Sequence, residues 1–137
     1  MSVTPSEEQL QALMQDAPDG PIVMVNLLKF RAKAAYQASL CESAEGISGA
    51  EAYMRYGAVA QRCVAEAGGR IVWAGQQALV FIGGPEQEWD QVVCVRYPSR
   101  DAFLAMLARP EYVAATYHRT AGLERTALLC CSAGSAA

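Results

Sequence analysis

Ile22-Val23-Met24-Val25-Asn26-Leu27-Leu28-Lys29-Phe30 is the stretch on which the fold turns. Read with a period of two, Met24, Leu28 and Phe30 fall on one face and Val23, Val25 and Leu27 on the other. A strand that is apolar on both sides needs cover on both sides. Its polar exceptions, Asn26 and Lys29, lie on opposite faces.

Working outward from this strand, the chain before it predicts a short helix. Thr4-Pro5-Ser6-Glu7 offers a capping Thr, a Pro at the first helical position and a Glu three residues after the cap. Leu10, Leu13, Met14 and Ala17 give it one apolar stripe, and Pro18-Asp19-Gly20-Pro21 stops it. Beyond the strand, residues 32–48 read as an insertion with one short helical piece. From Ala50 to Ala67 the period is helical, with Tyr53, Tyr56, Ala60, Cys63, Val64 and Ala67 on one face and Gly68-Gly69 as the exit.

Arg70 to Gly75 and Ala78 to Ile82 are strand-like around an expected bulge at Gly75-Gln76-Gln77, and Trp89 to Tyr97 is a further strand rich in Val. Ser99 caps a second helix striped by Phe103, Met106 and Leu107. Pro110 restarts the helix, which runs through Tyr117 and ends by Gly122, and Leu123 to Cys131 is the last strand. The order is thus a helix followed by β-α-β-β-α-β, an α+β fold of ferredoxin-like type with an antiparallel sheet and its helices on one face. Residues 1–20 are read as a helical extension, 21–131 as the domain proper and 132–137 as a flexible tail. The helix-free face of the sheet then lacks cover. A second copy of the chain supplies it most economically, so a homodimer is expected; the competing cover is the N-terminal helix together with residues 32–48.

Composition excludes several classes of function. With 53% hydrophobic and 18% charged residues the chain is globular rather than disordered. Its eleven Lys and Arg are spread thinly under a net charge of −3, so neither a nucleic-acid partner nor an anionic membrane is expected. The longest apolar runs fall far short of the ~20 residues of a membrane span. The opening Met-Ser-Val-Thr-Pro-Ser-Glu-Glu lacks the features of a signal peptide, so a cytoplasmic location is expected. The five cysteines show no Cys-x-x-Cys spacing and are read as reduced, structural thiols.

Six short pieces in register carry a resemblance: Tyr53-x-x-Tyr56, Gly68-Gly69-Arg70, Gly83-Gly84, Tyr97-Pro98-Ser99, Pro110-Glu111-Tyr112 and the following Arg119. Together they resemble the domain of unknown function 1330 family (DUF1330) across roughly residues 22–131. That resemblance implies membership of the dimeric α/β-barrel superfamily, in which two ferredoxin-like sheets close around a shared interior. It implies no activity. Relatives of this kind catalyse isomerisations, decarboxylations and cofactor-free oxygenations, which need a shaped apolar cavity and one or two acid–base groups.

The residues able to carry chemistry are few. His118 is the only histidine, so any histidine acid–base step falls to it, while a helix-end histidine of no catalytic role is the competing reading. It has no second ligand at a suitable spacing, so no metal and no other cofactor is expected. Arg119 either binds a substrate carboxylate or forms a surface ion pair with Glu111 or Glu124. Asn26, in mid-strand, either faces the barrel interior as the best pocket residue or is tied to backbone. Arg96 points either inward to an anion or out to solvent. Tyr56, Trp73 and Tyr97 line an aromatic pocket or belong to the core. The expectation is an enzyme or enzyme-like pocket protein acting on a small anionic or aromatic compound. Asn26 orients that compound, Arg119 binds its charge and His118 moves the proton. The alternative is a non-catalytic ligand-binding or regulatory dimerisation module.

Overall fold

The computed structural model describes residues 2–134. Of the expected tail, residues 135–137 lie outside that range, and Ser132 belongs to the last strand. Strands β1 (Ile22–Phe30), β2 (Arg70–Gln76), β3 (Gln91–Tyr97) and β4 (Leu123–Ser132) form one antiparallel sheet in the order β2-β3-β1-β4. Helix α1 (Glu7–Asp16) precedes the sheet; α2 (Gly49–Glu66), α3 (Arg100–Leu107) and α4 (Pro110–Gly122) complete the fold. This is the ferredoxin-like arrangement with an added N-terminal helix.

The core forms where the even-numbered residues of β1 meet the helices. Ile22, Met24 and Leu28 are buried there, with Tyr56, Ala60 and Cys63 of α2, Phe103 and Met106 of α3, and Tyr112 of α4. Tyr97 closes one end, its ring edge-on to Phe103 at 5.0 Å. The other end is a backbone clasp. The Arg31 N–H donates to the Gly122 carbonyl (2.8 Å) and the Gly49 N–H to the Arg31 carbonyl (3.0 Å), so β1, α2 and α4 are tied at one point.

Helices α1, α2 and α3 begin where a serine side chain satisfies free N–H groups, whereas α4 opens on Pro110 with no side-chain cap. Ser48 caps α2 in a reciprocal box with Glu51, and Ser99 accepts from the Ala102 N–H. Replacing Ser48 with Ala should cost about 1 kcal/mol, seen as a Tm lowered by about 2–5 °C without loss of fold. An unchanged Tm would show that this cap adds nothing to stability.

Several expectations are corrected. The cap of α1 is Ser6, boxed with Gln9, and not Thr4: both Thr4-x-x-Glu7 and Ser6-x-x-Gln9 fit the pattern, and the second closes both hydrogen bonds (3.1 and 2.9 Å). Residues 78–82 form no strand. β3 starts only at Gln91, so β2 finds its partner residues up to Gln76 and none beyond. The chain from 77 to 90 is instead a loop pinned at its base by the Gln77 side chain, which donates to the Gln87 carbonyl (2.8 Å) and accepts from the Trp89 N–H (2.6 Å). The bulge falls between Ile71 and Trp73, not at residues 75–77. In the insertion, the helical piece is a single turn at Cys41–Ala44.

The helix-free face carries Val23, Val25 and Leu27, flanked by Arg96, Cys94 and Val92 of β3 and by Cys131, Leu129 and Ala127 of β4. Trp73 and Leu129 on it are 56% and 49% exposed. The two segments expected to compete for this cover lie elsewhere. Helix α1 runs along the helix side of the sheet. Residues 32–48 pack on the end of α4, where the Ala35 N–H donates to the Ala121 carbonyl (2.8 Å) and Tyr117 donates to Glu42 (2.5 Å).

Candidate functional site

Between the sheet and helices α1, α2 and α4 lies a partly open cleft of about 1510 Å3. Its walls are largely apolar, built from Met24, Val93 and Val95 of the sheet and Leu10 and Leu13 of α1. The cleft therefore lies on the helix side of the sheet, not in an interior shared between two sheets. Strand parity is the reason: Asn26 shares its face with Met24 and Leu28, which the helices cover.

Four polar features converge there. The amide nitrogen of Asn26 donates to the carbonyls of Met24 (3.3 Å) and Val93 (3.1 Å). Both partners are acceptors, so the NH2 group faces them and the side-chain oxygen remains an acceptor. Tyr56 and Tyr112 share one hydrogen bond between their hydroxyls, 2.7 Å apart. Two hydroxyl protons with one used between them leave one O–H to donate. Tyr53 stacks obliquely on Tyr56 at 5.2 Å and adds another phenol. Arg119 reaches in from α4.

The phenols keep their protons. Burial pushes Tyr53 up to about 12, against the pull of the Arg119 charge. Burial raises Tyr56 further, helped by Tyr112, and also raises Tyr97. In the unfolded chain these phenols ionise near pH 10. The folded form binds the extra protons, so this contribution is complete below pH 10 and is lost as pH rises through about 12. Tyr53 alone corresponds to a loss on the order of 2–3 kcal/mol over that window, at about 1.4 kcal/mol per pH unit. Urea midpoints measured from pH 9 to 11.5 should therefore fall steeply above pH 10, and a flat profile would contradict the burial of these rings.

Arg119 is the only full cation on α4's cleft-facing side. Its guanidinium donates to the backbone carbonyl of Val3 at 2.5 Å, and neither Glu111 nor Glu124 pairs with it. Glu111 instead takes Arg109, and Lys29 takes Asp90. Among the described residues, the one carboxylate lining the cleft is Asp16 on α1.

The remaining candidates stand apart. Tyr112, Thr116 and Arg119 share the cleft face of α4, being three and four residues apart, and His118 points away from it. There its Nδ1 lies 2.6 Å from the Tyr36 hydroxyl. Burial lowers the His118 pKa, which favours the neutral ring in its hydrogen bond with Tyr36. Trp73 and Arg96 are on the helix-free face. The structure thus brings together Asn26, Arg119, Tyr56 and Tyr97 and separates them from His118, Trp73 and Arg96. Two cleft residues absent from the sequence-derived site are Tyr53 and Tyr112. Their signal was present in the spacing, three before Tyr56 and seven before Arg119, which places each on the same helix face as a candidate. Among the described residues no cluster of His, Cys, Asp or Glu is arranged to hold a metal, and no helix is long and apolar enough to cross a membrane.

Fold and cleft together define a ferredoxin-like α+β domain with a ligand-sized hollow between helices and sheet. The family model for a domain of unknown function (DUF1330) matches residues 43–132, and the chain belongs to that family. The match starts later than the sequence pattern suggested, leaving β1 outside it. The RPA0582 protein of Rhodopseudomonas palustris, described as of unknown function, is 35% identical over 95% of this chain and 95% of its own, with a TM-score of 0.84. A structure of methylated RPA0582 protein gives 34% identity over 96% and 93%, with a TM-score of 0.86. A DABB-family protein from Mesorhizobium loti with a ferredoxin-like fold shares the fold at 11% identity (81% and 94% covered, TM-score 0.51). No curated protein matches the chain.

Proposed function

We propose that the cleft binds a small organic anion with an apolar or aromatic body, and that the chain works as a homodimer. The observation that carries the ligand reading is Arg119, a guanidinium set in a largely apolar cleft whose one hydrogen-bond partner among the described residues is a neutral carbonyl. Arginine has five N–H donors in a rigid fork, so it retains the capacity to hold a carboxylate bidentately. The Asn26 oxygen and the free Tyr56/Tyr112 proton then fix the far end of the ligand, and Tyr97 and the apolar walls cover its body. No group titrating near neutrality lines this cleft among the described residues, so its chemistry is recognition and orientation. His118 has no part in it.

A thermal-shift comparison of small aromatic carboxylates with their primary amides tests this reading. The carboxylates should raise Tm in a saturable manner and the amides should not. Equal shifts, or none from any carboxylate, would remove Arg119 as an anion site. The homodimer reading rests on the uncovered apolar face, since α1 and residues 32–48 both lie elsewhere. Sedimentation at micromolar concentration should give the dimer mass; a monomer would overturn it.

A further inference from the structure

The helix-free face has different charges at its two ends. At one end Arg70 of β2 stands directly opposite Arg96 of β3, and Arg96 is opposite Val23. Directly opposed residues share a face with side chains in reach of each other, and like charges so placed repel. Neither makes an ion pair among the described residues, and the Nε of Arg96 is buried with no hydrogen-bond partner. At the other end, past Leu27 and Val92, stands the 77–90 loop. It packs beside those two residues and leaves a hollow of about 480 Å3. Its backbone is held by Arg125, which donates to the carbonyls of Glu86 (2.8 Å) and Glu88 and stacks on Trp89. The carboxylates of Glu86 and Glu88 take no ion pair among the described residues. The same loop displays Phe81 and Ile82, 91% and 87% exposed.

Two copies meeting face to face by a two-fold axis in the plane of contact have two extreme arrangements. With the axis along the strands, the arginine pair of one copy lies on the arginine pair of the other, putting four guanidiniums together. With the axis across the strands, the arginine pair of each copy lies on the 77–90 loop of its partner. At the loop end Lys29 is matched by Asp90 and the single Arg125 is outnumbered by Glu86 and Glu88, so charge selects the second arrangement. We propose that the occupant of this face is a second copy of the chain, oriented so that Glu86 and Glu88 of each copy meet Arg70 and Arg96 of the other. In that arrangement Phe81 and Ile82 clasp the partner's sheet. This goes beyond the homodimer reading above, on which it rests, by fixing which residues face which.

Charge reversal tests it. Arg70→Glu/Arg96→Glu and Glu86→Arg/Glu88→Arg are prepared as separate proteins, each checked for folding by circular dichroism. Native mass spectrometry is then run on each and on their mixture. Each alone should dimerise at least 100-fold more weakly than the original chain, and the mixture should recover heterodimer, because both sets of contacts are then complementary. Since Phe81 is almost fully exposed, Phe81→Ser leaves the monomer intact and should raise the dimer dissociation constant about 10-fold or more. Original-strength dimers from both charge variants, a mixture without heterodimer, or an unchanged constant for Phe81→Ser would overturn the orientation. Those results leave the homodimer standing. A monomeric original chain is the separate result that removes both.

Discussion

Replacing Gly49 with alanine should destabilise the protein by about 2–3 kcal/mol, the upper part of the usual range for overpacking. A β-carbon at Gly49 would lie 2.6 Å from the Gly122 carbonyl oxygen and closer still to the Arg31 carbonyl. Both obstacles are backbone, so no side chain can rotate away. They are also the atoms of the clasp that ties β1, α2 and α4 together. The lost stability should lower Tm by roughly 10 °C. A control lies about two helix turns further along: Gly57, also in α2, has nothing within 4 Å of its would-be β-carbon. Alanine there should stabilise the helix by about 0.5–1 kcal/mol. Urea denaturation of the two variants should thus give shifts of opposite sign. A Gly49→Ala protein as stable as the original would refute the close crossing of α2 and α4.

The second large effect concerns the cleft. Arg119→Gln keeps a donor and much of the side-chain length but removes the charge. A charged hydrogen bond contributes about 1.5–3 kcal/mol, so affinity for an aromatic carboxylate should fall about 10- to 100-fold. The fold should persist, because the lost partner is the carbonyl of Val3 near the chain start and not a core group. Calorimetric titration of original and variant with benzoate measures this directly. An affinity unaffected by the substitution would place the anion elsewhere.

How much of this was legible in the sequence differs between fold and site. β1, α2 and the restart at Pro110 follow from apolar periodicity and from Ser, Pro and Gly at their ends, signals that act locally and survive folding unchanged. Residues 78–82 show where such reading fails. Ala78 to Ile82 has the composition of a strand, but a strand needs a partner, and pairing with β3 ends at Gln76. Composition could not reveal that register. The cleft shows a related limit. Parity placed Asn26 with Met24 and Leu28, yet whether helices or a second sheet covered that face depended on the whole fold. The same holds for His118 and Arg119. Adjacent in sequence, they stand about 100° apart around α4, so one faces the cleft and the other Tyr36. Tyr53 was visible as a helix-stripe residue and Tyr112 as part of Pro110-Glu111-Tyr112, and only the cleft makes them candidates for binding.

A crystal structure of the protein saturated with benzoate tests the central claim most directly. The carboxylate should lie in the cleft between sheet and helices, about 2.7–2.9 Å from the Arg119 guanidinium, with the ring against Tyr97 and the apolar wall. An empty cleft at saturating ligand, or benzoate bound at Arg70 and Arg96 instead, would contradict it.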